Sequence, residues 1–302
     1  MLFRAIHRDR SLTNSAVGFP MTTFLDSIND AKGYEVLASV HCPIAARMAV
    51  DLGFNYGMVG GSVASLSMLG TPDLMLLTST ELCDLVKRTS QSSSLNIIVD
   101  GDAGYGNALN TMRTVVELEM AGAKAVTLED TKLPISYGQM KTQLISPKEQ
   151  VDKLAAALDA RSSESFGILA RTQVVAGEEI GAVAERVHQY AETGVDGICL
   201  AGVTDQDQLE AISDASNKPK MLITYGKPNT LTDEIYERCN VKLLLSGHTP
   251  FEASIVATYQ ALSMLAGGTV SPDELNYKAL IGKYTEQEGF DSAIKKYLNI
   301  SE

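Results

Sequence analysis

The feature that most constrains the fold is a repeated junction. A helical stretch ends at glycine or asparagine, and an apolar β-type run begins a residue or a few later. It occurs as DLGFNYGMVGG (51–61), EMAGAKAVTLED (119–130), ETGVDGICLAG (192–202) and RCNVKLLLSG (238–247). Gly53, Gly122, Gly194 and Asn240 tolerate the left-handed backbone that ends a helix. The runs after them are continuously apolar, as strands of a parallel sheet are when both faces are covered. Eight such runs can be read: Val36–Val40, Tyr56–Gly60, Asn96–Val99, Ala125–Leu128, Gly167–Ala170, Gly197–Leu200, Met221–Thr224 and Val241–Leu245. Periodic helical stretches lie between them. Ile180, Val183, Val187, Tyr190 and Ala191 share one stripe, and Leu109, Met112, Val116 and Met120 another. Strand then helix, eight times over, predicts a (β/α)8 TIM-type barrel. The alternative is a doubly wound open sheet. Eight strands, and no G-x-G-x-x-G after the first, count against it.

The tail from Pro250 to Glu302 is long enough for two or three extra helices. Helices beyond a closed barrel commonly pack on a neighbouring subunit, so a homo-oligomer is expected. Residues 21–302 read as a single domain. Residues 1–20 read as a disordered extension; their three arginines, one acid and two serines also loosely match an organelle transit peptide.

The balance of residues narrows the function. The chain has 302 residues and a formal net charge of −12. That charge disfavours nucleic acid and anionic membrane as partners, and any bound anion must meet a locally positive group. No apolar run approaches the roughly 20 residues that span a bilayer. The four cysteines (Cys42, Cys83, Cys199, Cys239) are scattered, which fits neither a disulfide framework nor a zinc site. The expected compartment is the cytoplasm, and Cys199, in an apolar run, is expected in the core.

In a barrel the active site lies where the strands end at their C-terminal side. The ends read Gly60-Gly61-Ser62, Asp100-Gly101-Asp102, Glu129-Asp130, Arg171-Thr172, Tyr225-Gly226 and Ser246-Gly247-His248. His41-Cys42 and Ala201-Gly202 offer less. Taken singly, Asp-Gly is a common turn, Glu-Asp a common helix cap, and an arginine a partner for a structural acid. GDAGYG is neither a dinucleotide fingerprint nor a P-loop. The convergence is what matters. Asp100, Asp102, Glu129 and Asp130 would repel one another without a cation, and oxygen-only ligation suits Mg²⁺ or Mn²⁺. Arg171 would grip a carboxylate in a fork, and the Gly61–Val63 turn would offer backbone N–H groups to the same anion. His7 and His188 fall outside this set, and Tyr105 reads as a packing residue.

With those residues in hand, the sequence resembles the isocitrate lyase/phosphoenolpyruvate mutase superfamily from about Met21 onward. The most specific motif is D-x-D-x-G-Y/F-G, here Asp100 to Gly106, followed by Glu129-Asp130 and Ala170-Arg171-Thr172. The resemblance implies a Mg²⁺-dependent barrel acting on 2-oxo or 2-hydroxy acids through an enolate. It also implies a tetramer, a dimer of dimers, whose C-terminal helices are exchanged between subunits. Asp100 would be the direct metal ligand, Asp102 and Glu129 would act through water, and Asp73 would stand behind them.

The closest likeness is to the oxaloacetate decarboxylase group of that superfamily, through GGSVASL (60–66), GYGNALN (104–110), MRTVVELE (112–119), DGICL (196–200), TYG (224–226) and Gly247-His248. The loop Glu129–Gly138 lacks the cysteine that serves as acid in the superfamily's carbon–carbon lyases. The expected reaction is decarboxylation of oxaloacetate, or a 3-alkyl oxaloacetate, to pyruvate and CO₂. Gly61, Ser62, Val63, Arg171 and His248 would bind substrate, and Arg171, His248 and Tyr225 would assist catalysis. Ala103 stands where a close relative has histidine and would leave space for a larger substrate; Gln173 is a second departure. P–C bond chemistry on phosphonopyruvate, carbon–carbon cleavage of a 2-hydroxy diacid, and non-catalytic binding of a 2-oxo acid are the alternatives.

Overall fold

The first apolar run switches hydrogen-bonding partner halfway along. Its first half, β1 (Glu35–Val36), pairs with the last strand, and its second half, β2 (Ala38–Ser39), pairs with the next one in sequence. Leu37 bridges them, its N–H donating to Leu244 O at 2.9 Å, and the Val40 N–H donates to Met58 O at 2.9 Å. The remaining strands are β3 (Tyr56–Val59), β4 (Asn96–Asp100), β5 (Ala125–Glu129), β6 (Gly167–Gln173), β7 (Gly197–Ala201), β8 (Lys220–Ile223) and β9 (Val241–Leu245). All pairs are parallel, in the order β1-β9-β8-β7-β6-β5-β4-β3-β2. Because β1 and β2 are one run, the sheet closes into an eight-stranded barrel counted as nine segments. This computed structural model describes residues 23–29, 33–139, 143–175, 177–203, 205–225 and 231–300. The expected extension, residues 1–20, lies outside them, as does Gly226.

Helices α1 (Phe24–Asn29), α2 (Pro43–Asp51), α3 (Gly61–Leu69), α4 (Ser79–Ser92), α5 (Ala108–Met120), α6 (Pro147–Ala160), α7 (Ile180–Glu192), α8 (Gln206–Asp214) and α9 (Asp233–Arg238) alternate with the strands. The junctions form as the sequence predicts: Gly53, Gly122, Gly194 and Asn240 all have positive φ, between 54° and 94°. Helix starts carry their caps. Thr78 and Glu81 form a reciprocal capping box on α4, Asn107 and Asn110 do so on α5, and the Ser146 hydroxyl caps α6.

Two apolar layers result. Met58, Ile98, Leu169, Cys199, Met221 and Leu243 fill the barrel, while Val59, Val99, Val126, Ile168 and Leu200 face the helices. Phe24 and Ile28 of α1 belong to the inner layer and plug the barrel at the strands' N-terminal end; Phe24 lies against Gly167, the first residue of β6. The α7 stripe is buried as expected at Val183, Val187 and Tyr190. The α5 stripe is only half so: Met112 and Val116 are partly buried against the core, while its two ends are not. Thr111, Thr114, Val115 and Leu118 face inward, and Leu109 and Met120 are 72% and 81% exposed. The helix is turned toward the loop after β4, where the Thr114 hydroxyl donates to Gly104 O at 3.3 Å.

After β9 come α10 (Thr249–Leu265), a 3-10 turn (Pro272–Leu275), α11 (Tyr277–Tyr284) and α12 (Gln287–Tyr297), three helices beyond the barrel. Among the described residues no helix is long and apolar enough to cross a membrane.

Candidate active site

Asp100 ends β4, and Asp102, two residues on in the following turn, lines the same cavity. Gly101 between them has no room for a side chain: a Cβ would sit 2.6 Å from Val126 Cγ2 and 3.0 Å from Thr127 O. The backbone there is stitched to β5, with the Gly101 N–H donating to Thr127 O at 3.0 Å and the Glu129 N–H to Asp102 O at 2.8 Å. The buried Lys153 ammonium donates to Ala103 O. Asp102 is held at φ +45°, an uncommon value for a residue with a side chain.

These residues open onto a cavity of about 490 Å³ at the C-terminal mouth of the barrel. Its polar lining comes from Ser62, Asp73, Asp100, Asp102, Glu129, Arg171, Tyr225 and His248. Arg171 lies at the centre. Its Nη1 donates to both Asp100 oxygens at 2.6 and 2.7 Å, and its Nη2 lies 3.2 Å from Glu129 Oε2 and 3.4 Å from the Tyr225 hydroxyl. The Arg171 Nε–H is buried without a partner. Burial alone would lower the Arg171 pKa; Asp100 and Glu129 carry it well above the ordinary arginine range. Burial, then the charges of Asp100, Asp73 and Glu129, push Asp102 well above the usual carboxylate range. Burial also raises Glu129, against the pull of Arg171.

Several expectations change. Asp130 does not reach the cavity. It follows Glu129, so it faces the other side of the wall, fully buried. There it accepts from the Thr172 hydroxyl at 2.7 Å and the Tyr190 hydroxyl at 2.9 Å, with Arg186 Nε at 3.4 Å. Ala103 lines a neighbouring cavity of about 690 Å³, not this one, so its small size adds no room for substrate. Gln173 bonds to the Thr131 hydroxyl at 3.4 Å and is also absent from the lining. Gly61 and Val63 are buried at the start of α3 and contribute no side chain to the cavity. Their amides stay relevant: the first α3 bond runs from the Ala64 N–H to Gly60 O, which leaves the N–H groups of Gly61, Ser62 and Val63 free of helical partners.

The sequence reading missed two contributions. One is an apolar wall, formed by Leu74 and Met75 on one side and Leu133 and Ile135 on another, above Met58, Ile223 and Leu245. The other is Ser39, whose buried hydroxyl meets His248 Nδ1 at 2.7 Å. A lone hydroxyl in the run VLASV was its only signal. His188 is exposed on α7, as expected.

Four carboxylates face one guanidinium here. Among the described residues no three histidine, cysteine or acidic side chains converge as a ready-made metal cage. The donor set nonetheless fits a hard divalent cation held partly through water, since all its donors are oxygens and Asp102 resists ionising without added positive charge.

Comparison with known proteins shows the family of the chain. The family model described as phosphoenolpyruvate phosphomutase matches residues 4–266. An oxaloacetate decarboxylase of Pseudomonas entomophila (strain L48) is 44% identical over 267 residues, 88% of this chain and 91% of its own. A phosphoenolpyruvate phosphomutase crystal structure from Streptomyces platensis subsp. rosaceus superposes with TM-score 0.71 at 25% identity, over 91% of this chain and 98% of its own. A phosphonopyruvate hydrolase in complex with oxalate and Mg²⁺ also superposes with TM-score 0.71 at 25% identity, over 91% and 96%. The chain belongs to the phosphoenolpyruvate phosphomutase family, within the isocitrate lyase/phosphoenolpyruvate mutase superfamily.

Proposed function

We propose that this protein is a lyase that decarboxylates oxaloacetate to pyruvate and CO₂ with Mg²⁺ as its cation, Mn²⁺ being the substitute. The observation that carries the reading is Arg171. It is a buried cation in the lining of the cavity, paired there with Asp100 and Glu129, and it offers a positive fork to a substrate carboxylate in a site otherwise rich in acids. The 44% identical oxaloacetate decarboxylase points to a 2-oxo diacid as the substrate.

Asp100 would hold the cation directly, Asp102 and Glu129 through water, with Asp73 at the rim. Bound there, the cation supplies Lewis acidity toward the 2-oxo oxygen, the chemistry that makes the C3–C4 pair leave its carboxylate. Arg171 and the free amides at the start of α3 orient the C1 carboxylate. The Leu133–Ile135 and Leu74–Met75 walls shield the departing C4 carboxylate from water, which favours neutral CO₂ over an anion. His248 and Tyr225 stand at the same cavity to donate to the forming enolate, and C3 then takes a proton to give pyruvate. No cysteine lines the cavity among the described residues, and this reaction needs none.

Pyruvate release from oxaloacetate with added Mg²⁺ tests the reading. Asp100→Ala is expected to lower kcat at least about 1,000-fold, the scale of losing a main electrostatic contribution. Full activity in EDTA would contradict the cation. Phosphate release from phosphonopyruvate without pyruvate from oxaloacetate would contradict the substrate.

We infer in addition a homo-oligomer, a tetramer built as a dimer of dimers with exchanged C-terminal helices. Support comes from α10, in which only Phe251 is buried while Leu262, Met264 and Leu265 are 60–84% exposed.

A further inference from the structure

We propose that Ser39 is a positioning residue: its hydroxyl donates to His248 Nδ1 and so holds the imidazole as the neutral tautomer whose Nε2–H faces the cavity. This rests on the reading of the cavity as the decarboxylation site.

The Ser39 Oγ to His248 Nδ1 distance is 2.7 Å, and either atom could carry the shared proton. Burial decides between them. Ser39 is 5% exposed, and among the described residues its hydroxyl has no second partner. If Nδ1–H donated, the Ser39 O–H would be left as a buried donor with no acceptor. If Ser39 donates, only hydroxyl lone pairs go unused, which is the smaller loss.

Gly60 fixes the ring from the other direction. A Cβ on Gly60 would lie 2.7 Å from His248 Cε1 and 3.1 Å from Nε2, so the imidazole lies flush against the backbone at the start of α3. Gly60 has φ −80°, a value open to any residue. The glycine is needed here for closeness, not for backbone freedom. Ser39 and Gly60 hold the ring from two sides, and burial lowers its pKa, which keeps it neutral. His248 then acts as a hydrogen-bond donor to an oxygen of the enolate, keeping its proton, and not as a general base.

The test has two arms on the full-length enzyme. Magic-angle-spinning ¹⁵N spectra of histidine-labelled protein at pH 7.5, with His248→Gln to assign the signal, read the tautomer. A protonated Nε2 and an unprotonated Nδ1 are expected; a protonated Nδ1 overturns the proposal. In the second arm, Ser39→Ala is expected to lower kcat for oxaloacetate roughly tenfold or more with KM within about twofold, as when a group orienting an imidazole is lost. Ser39→Cys, a weak donor, should recover part of the loss. Unchanged kcat in Ser39→Ala overturns the proposal. The arms separate two failures, because an enzyme inert toward oxaloacetate would still report its His248 tautomer in the spectra.

Discussion

Glu129 and Asp130 are neighbours in sequence and lie on opposite sides of the barrel wall, and the contrast has measurable consequences. Asp130 stabilises the fold. Its partners Thr172, Tyr190 and Arg186 tie β5 and β6 to α7, so Asp130→Ala is expected to cost roughly 3 kcal/mol in urea unfolding, the scale of breaking a buried ion pair. Glu129→Ala should leave the unfolding midpoint within about 1 kcal/mol, as it meets Arg171 in a cavity crowded with like charge, yet lower turnover at least about 100-fold. Reversed effects would refute the assignment. The inward residues Asp100, Glu129 and Arg171 were legible in the sequence because strand parity and the strand-end rule place them. Asp130 was misread because parity was not applied one residue further. The walls at Leu74, Met75, Leu133 and Ile135 were not legible, since they lie on loops whose direction no periodicity sets. Nor could the sequence show that Ala103 opens onto the adjoining cavity.

Strand and helix identities were readable from the glycine-ended junctions, but the ways in which elements meet were not. The first run had to split because closing a barrel requires one strand to serve two neighbours. The α5 face was misassigned at its ends because hydroxyls of Thr111 and Thr114, bonded or packed at the glycine loop, took the inward positions that Leu109 and Met120 would fill in a purely apolar stripe. At the barrel's base, α1 is short and has little helical stability of its own, so its place depends on Phe24 and Ile28. Phe24→Ala should cost about 3–5 kcal/mol, measured by urea denaturation; a cost under about 1 kcal/mol would mean that α1 does not plug the barrel. Beside it, Lys220 starts β8 fully buried, its ammonium donating to Ser216 O at 2.9 Å and Lys218 O at 3.1 Å. Burial pulls its pKa from 10.5 down to about 8. The unfolded chain therefore binds more protons between those values, and this lysine makes the protein more stable as pH rises from about 8 to 10.5. Below about 8 its full penalty, on the order of 3 kcal/mol, is present. Lys220→Met should remove that component from the difference in urea midpoint between pH 8 and pH 10. An unaltered pH slope would contradict it.

The described residues form a closed parallel barrel with α1 at one end, a cavity rich in carboxylates at the other, and three helices beyond it. Large apolar and aromatic side chains, Leu262, Met264, Leu265, Tyr284 and Tyr297, are exposed on those helices. If they pack between subunits, Leu265→Glu should lower the mass seen by analytical ultracentrifugation without unfolding the barrel, and a wild-type monomer would contradict the assembly. The net charge of −12 sharpens the question at the other end, since the protein repels the dianion it is proposed to consume. Attraction has to be local, from Arg171, the α3 amides and a cation among Asp100, Asp102 and Glu129. Oxalate copies the planar dioxygen arrangement of pyruvate enolate, so its binding measured by titration calorimetry reports on that arrangement directly. The account predicts a clear binding isotherm for oxalate with Mg²⁺ in the wild-type enzyme, and none in EDTA or in Asp100→Ala. Equal oxalate affinity with and without Mg²⁺ would contradict it.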